Sequence, residues 1–139
     1  MPQSRGPAGA CTETVPAPCV LVVDDHADFR EAVRLFLERS GFRVLTADNG
    51  ADAVAWASEQ FLDAIIMDVS MPILDGIDAT AQLKASPRSA SIPVIGYTAH
   101  PFDGLEVRAK AAGMRDVLPK AGFLDLLTAL RAVVKPREH

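Results

Sequence analysis

Short unbroken apolar runs alternate along this chain with longer stretches in which apolar residues recur every three or four positions. The runs include Val20 to Val23, Ile65 to Met67, Val94-Ile95 and Val117-Leu118. Runs of this kind are what buried parallel strands look like, because helices cover both faces of the sheet. They predict strands at Val20 to Val23, Phe42 to Ala47, Ala64 to Asp68, Pro93 to Tyr97 and Asp116 to Leu118. Phe29, Ala32, Val33, Phe36 and Leu37 fall at i, i+3, i+4, i+7 and i+8, the stripe of a helix that Gly41 ends. Asn49-Gly50 opens a second helix with Ala51, Val54, Ala55 and Ser58 on one stripe, which leaves Trp56 off the stripe and partly exposed. A third helix is expected from about Asp75 to Lys84. A fourth, from about Phe102 to Ala112, has a thin apolar face of Phe102, Leu105, Ala109 and Ala112 and should hold loosely. The last carries a strong stripe of Phe123, Leu126, Leu127, Leu130, Val133 and Val134. Five βα units with right-handed crossovers predict an α/β fold, a doubly wound five-stranded parallel sheet with helices on both faces.

Each apolar run ends in a residue with chemistry. Asp24 and Asp25 follow the first, Asp68 closes the third, Thr98 follows the fourth, and Lys120 lies just past the fifth. The carboxyl ends of the strands share one edge of an open α/β sheet, and ligands bind there. These five residues are therefore expected to converge. Three carboxylates held together repel one another, and a divalent cation relieves that repulsion. Mg²⁺ takes oxygen ligands and keeps several waters. Direct ligation is assigned to Asp25 and Asp68, a backbone carbonyl ligand to Ser70, and a role through water to Asp24. Asp68 can then attack a phosphoryl group as nucleophile. Lys120 pairs with one phosphoryl oxygen as a point charge and Thr98 donates to another.

Composition narrows the partners. The chain has 139 residues, 49% hydrophobic, with a formal net charge of −4, enough for one domain with a real core and no room for a second. The acidic balance argues against nucleic acid. No apolar stretch reaches the roughly 20 residues of a membrane span, and there is no signal-peptide core, so no membrane partner and a cytoplasmic location are expected. Residues 1–17, rich in Pro, Gly, Ser and Ala, read as a disordered leader, and 18–139 as the folded domain. Cys11 and Cys19 have neither Cys-x-x-Cys spacing nor a nearby His, and read as reduced thiols. His26 reads as a solvated neighbour of a helix cap, and Asp75-Gly76 as helix-start chemistry.

These elements, Val-Val-Asp-Asp at 22–25, Met-Asp-Val-Ser-Met-Pro at 67–72, Asp-Gly at 75–76, Tyr-Thr-Ala at 97–99, Ala-Gly at 112–113 and Lys120, resemble the receiver domain of two-component response regulators. The resemblance spans residues 19–134 and is to single-domain, chemotaxis-regulator-like members. It implies a flavodoxin-like fold and a phosphoacceptor that takes a phosphoryl group from a histidine kinase or phosphotransfer protein onto Asp68 with Mg²⁺. It further implies a switched face that binds an unknown downstream protein. The chain would then not be an enzyme, although it would catalyse its own phosphotransfer and dephosphorylation. His100 and Ser70 are implied to flank the path of the attacking water. Two positions depart from the family: Ala121 follows Lys120 where proline is usual, and Val117 stands where Tyr or Phe is usual. The alternatives are a pseudo-receiver acting as a constitutive interaction module or phosphate sink, and a small Mg²⁺-dependent aspartyl-phosphate phosphatase. Such phosphatases usually place an acid two residues after the nucleophile, where this chain has Ser70.

Overall fold

The computed structural model describes residues 17–71 and 75–134. Five strands and five helices alternate: β1 (Cys19–Val23), α1 (Ala27–Arg39), β2 (Arg43–Ala47), α2 (Gly50–Glu59), β3 (Ala64–Asp68), α3 (Gly76–Ala85), β4 (Val94–Thr98), α4 (Leu105–Ala112), β5 (Asp116–Pro119) and α5 (Phe123–Val133). All strand pairs are parallel, in the order β2-β1-β3-β4-β5. The expected doubly wound sheet is what forms, because every residue of β1, β3 and β4 is buried and so needs cover on both faces.

Successive side chains point to opposite faces, so each strand feeds two cores. Val20, Val22, Ile66, Ile95 and Tyr97 pack with Val33, Leu37, Leu126 and Leu130 of α1 and α5. Leu21, Val23, Ile65, Met67 and Val94 pack with residues of α2, α3 and α4. Truncating a fully buried member such as Leu130 to Ala costs about 2–5 kcal/mol.

Three expectations about packing fail, each for a physical reason. The buried face of α2 is Gly50, Ala53, Trp56 and Ala57, not the stripe through Ala51 and Ser58. Trp56 is 2% exposed because its ring brings the largest apolar area on the helix and its Nε1 donates to the Thr46 carbonyl at 3.1 Å. Helix α4 begins at Leu105, three residues later than expected, since Gly104 ahead of it is left-handed (φ 83°) and Phe102 is 44% exposed. Cys19 is disulfide-bonded rather than a reduced thiol, and the expectation for Cys11 lies outside the described residues; the missing Cys-x-x-Cys spacing argued against metal but said nothing about a disulfide. The expected leader, apart from Ala17, and the tail after Val134 also lie outside the described residues.

Candidate functional site

The order β2-β1-β3-β4-β5 brings the ends of β1, β3 and β4 side by side, with the β5 loop at the edge. Asp24 and Asp25 follow β1, Asp68 is the last residue of β3, Thr98 the last of β4, and Lys120 directly follows β5. Backbone hydrogen bonds knit these ends together: Val69 N to the Tyr97 carbonyl at 3.0 Å, and Lys120 N to the Thr98 carbonyl at 2.9 Å. A glycine is required at 76, because a Cβ there would overlap the Asp68 carbonyl. Asp75 caps α3 by accepting from Asp78 N at 2.9 Å, the helix-start role expected of this pair.

Lys120 Nζ bridges the two buried acids, 2.9 Å from Asp24 Oδ2 and 3.2 Å from Asp68 Oδ2. Ligand atoms of Asp24, Asp25, His26 and Asp68 all lie within 4.8 Å of one another. Asp24 is fully buried and well supplied with donors: His26 N to Oδ1 at 2.8 Å, and Lys120 and the Tyr97 hydroxyl (2.8 Å) to Oδ2. Burial by itself would raise its pKa, but the His26 amide, Lys120 and Tyr97 outweigh it and hold the carboxyl below the ordinary value of 3.8. Asp68 goes the other way. Burial first, then the Asp24 charge, push it up to about 6 against the partial compensation of Lys120 and the Ser70 amide. Burial and the Asp24 charge likewise push the Tyr97 phenol far up, so it remains a donor at any ordinary pH.

The remaining residues sort themselves around this pair of acids. Asp25 Oδ1 is buried and accepts no hydrogen bond, although His26 Nδ1 lies 3.3 Å away. An orphaned carboxylate oxygen beside two other acids is what a hard cation satisfies, and oxygen donors of this kind suit Mg²⁺. Ser70 is exposed, and its amide donates to Asp68 Oδ1 at 3.2 Å. Thr98 Oγ1 accepts from His100 N at 3.0 Å, which leaves its own proton to donate. All five convergent residues are thus at one edge. Tyr97 and Phe29 were not among the expected site residues. The ammonium of Lys120 lies 4.9 Å and 4.8 Å from their ring centroids, and the two rings stack at 5.6 Å. The signal for Tyr97 was available: a phenol one residue from the end of a buried strand must find an acceptor, and the acids at the neighbouring strand ends are the candidates.

The family model of the response regulator receiver domain matches residues 20–131. Protein PilH of Pseudomonas aeruginosa is 39% identical over 114 residues, which are 82% of this chain and 93% of PilH. Other curated relatives are longer, and the chain spans 52% of those it matches at 36% identity. Among solved structures, chemotaxis protein CheY4 of Vibrio cholerae superposes with a TM-score of 0.80 at 29% identity, covering 85% of this chain and 99% of that one. The receiver domain of sensor histidine kinase PA1611 from Pseudomonas aeruginosa, solved with a magnesium ion coordinated in its active-site cleft, gives 0.78 at 31% identity, covering 84% and 97%.

Proposed function

This chain belongs to the response regulator receiver family of two-component signalling, and we propose that Asp68 is its phosphoacceptor, loaded by a histidine kinase or a histidine phosphotransfer protein. The observation that carries the reading is one ammonium shared by two buried carboxylates beside an orphaned third. A carboxyl with its pKa raised to about 6 is still mainly ionised at neutral pH, and so keeps its lone pair for attack. An Asp68 oxygen attacks the phosphorus of a phosphohistidine; the new O–P bond forms as the P–N bond breaks, and the electron pair leaves with the imidazole, which takes up a proton. Asp25, Asp68 and the Ser70 carbonyl would hold Mg²⁺, with Asp24 reached through water, and the bound ion supplies neutralisation of phosphoryl charge. Lys120 follows the new negative charge away from Asp24, and the Thr98 hydroxyl donates to a further phosphoryl oxygen.

Under this reading the chain acts as a switch rather than a turnover enzyme, and its own residues promote both transfer and hydrolysis. Its output is a changed protein-binding face presented to a downstream protein. The cytoplasm is the proposed setting, because histidines are loaded there from nucleoside triphosphates; among the described residues no helix is long and apolar enough to cross a membrane. The test is incubation with acetyl phosphate, with and without Mg²⁺, read by intact mass. One phosphoryl group should appear on the wild-type chain only with Mg²⁺, and none on Asp68→Asn. An equal mass gain in Asp68→Asn would refute the assignment.

A further inference from the structure

Tyr97 is the chain's single tyrosine. Its side chain is fully buried, and its hydroxyl donates to Asp24 Oδ2 at 2.8 Å. The same oxygen receives Lys120 Nζ at 2.9 Å, and Lys120 is at the same time 3.2 Å from Asp68 Oδ2. One carboxylate oxygen thus serves two donors, while the ammonium serves two carboxylates. The phenol ring cannot easily leave: it stacks on Phe29, and Phe29 meets Phe123 edge-on at 5.7 Å.

Without the phenol, Asp24 Oδ2 would depend on Lys120 alone. A buried carboxylate short of one donor draws its remaining cation closer, and that movement takes the ammonium away from Asp68. Resting on the reading of Asp68 as phosphoacceptor, we propose that Tyr97 is a positioning residue: by occupying Asp24 Oδ2 it keeps Lys120 divided between Asp24 and Asp68, ready to pass to the phosphoryl group arriving on Asp68. The hydroxyl touches neither Asp68 nor Asp25, so it acts through Lys120.

Tyr97→Phe retains the ring and removes only the donor. The rate of Asp68 phosphorylation by acetyl phosphate, measured over a range of donor and Mg²⁺ concentrations, should fall about tenfold at saturation, the size expected for one hydrogen bond to a charged group. The concentrations giving half the maximal rate should stay within about twofold, since the phenol reaches neither the donor nor any of the three groups proposed to ligate Mg²⁺ directly, and meets the metal site only at Asp24, which is reached through water. In a Lys120→Met background the same substitution should have no further effect. A second readout uses the wild-type protein. With one tyrosine in the chain, the tyrosine Raman doublet reports this hydroxyl alone, and adding beryllofluoride with Mg²⁺ should shift it as Lys120 leaves Asp24. Equal maximal rates in Tyr97→Phe and wild type, equal losses with and without Lys120, or an unchanged doublet would overturn the proposal and leave the phosphoacceptor reading standing. Failure of the wild type to accept phosphate on Asp68 would remove both.

Discussion

Tyr97 and Thr98 are neighbours at the end of β4, yet they face opposite sides of the sheet, and those sides are packed very differently. On the Tyr97 side, Phe29, Tyr97, Phe123 and Phe36 form a continuous run of ring contacts spaced 5.3–5.7 Å, joining the site to α1 and α5. On the Thr98 side there is a hollow of about 350 Å³ bounded by Thr98, Phe102, Leu105, Val117 and Pro119, among others. Helix α4 beside it buries only Leu105 and Ala109, and Val107 is 74% exposed. Packed interiors do not deform continuously, whereas a weakly covered helix can shift at small cost. The aromatic side therefore fixes where Asp24 and Lys120 sit, and the hollow side is where a change in charge at Asp68 can be taken up.

The largest expected effect separates the two sides directly. Phe123→Ala removes a ring from the aromatic run and should cost about 3 kcal/mol in urea unfolding, the lower end of the range because Phe123 is only partly buried. Phe102→Ala, on the hollow side, should cost less than about 0.5 kcal/mol. Similar losses for the two variants would show that the hollow side is as tightly held as the aromatic one.

The floor between the two sides should respond to pH in a defined direction. Burial and the Asp24 charge raise Asp68 from 3.8 to about 6, so the folded chain holds that proton more tightly than the unfolded chain does. The stability this contributes is present in full below pH 3.8 and lost as pH rises through about 6. Asp24 is shifted the opposite way, so its contribution is present above 3.8 and lost on further acidification. Without divalent cations, Asp68→Asn should therefore be more stable than wild type at pH 7 by about 1–2 kcal/mol, with the difference fading toward pH 4. Mg²⁺ should raise the wild-type melting temperature more at pH 7 than at pH 5, because protons compete for Asp68. A wild type more stable than Asp68→Asn in metal-free buffer at pH 7 would mean that Lys120 outweighs the repulsion between the acids.

How much of this was legible beforehand follows from which interactions are local. Five strands and the convergence of Asp24, Asp25, Asp68, Thr98 and Lys120 could be read from apolar runs and what ends them, because the edge rule for parallel sheets needs no knowledge of side-chain packing. The face of α2 could not: small residues mark several stripes equally well, and the large ring of Trp56 decided among them only once the Thr46 carbonyl was in reach. The start of α4 was missed because Phe102 fits a helical period, while the left-handed Gly104 interrupts it. Tyr97 was visible as a residue but not as part of the site, since its acceptor lies 73 positions away in the chain.

The smallest effect bears on the hollow itself. Val117 is partly buried at its wall, and a larger apolar side chain there would occupy space that now separates β5 from α4. Val117→Phe should stabilise the metal-free protein by about 0.5–1 kcal/mol, as cavity-filling substitutions commonly do. It should also stiffen the region that yields. In wild type, beryllofluoride with Mg²⁺ draws Lys120 and Thr98 toward Asp68, and the resulting change in amide hydrogen exchange should concentrate in residues 97–125 while α1 is little affected. In Val117→Phe the same ligand should still bind, because no group that touches Asp68 is altered, but the exchange change in 97–125 should shrink. Were the response in wild type instead centred on residues 27–39 and 123–133, the aromatic run would be the moving part and the hollow a passive gap. Were Val117→Phe to leave the response at full size, the displacement would be accommodated by the loops alone, without help from the space beside α4.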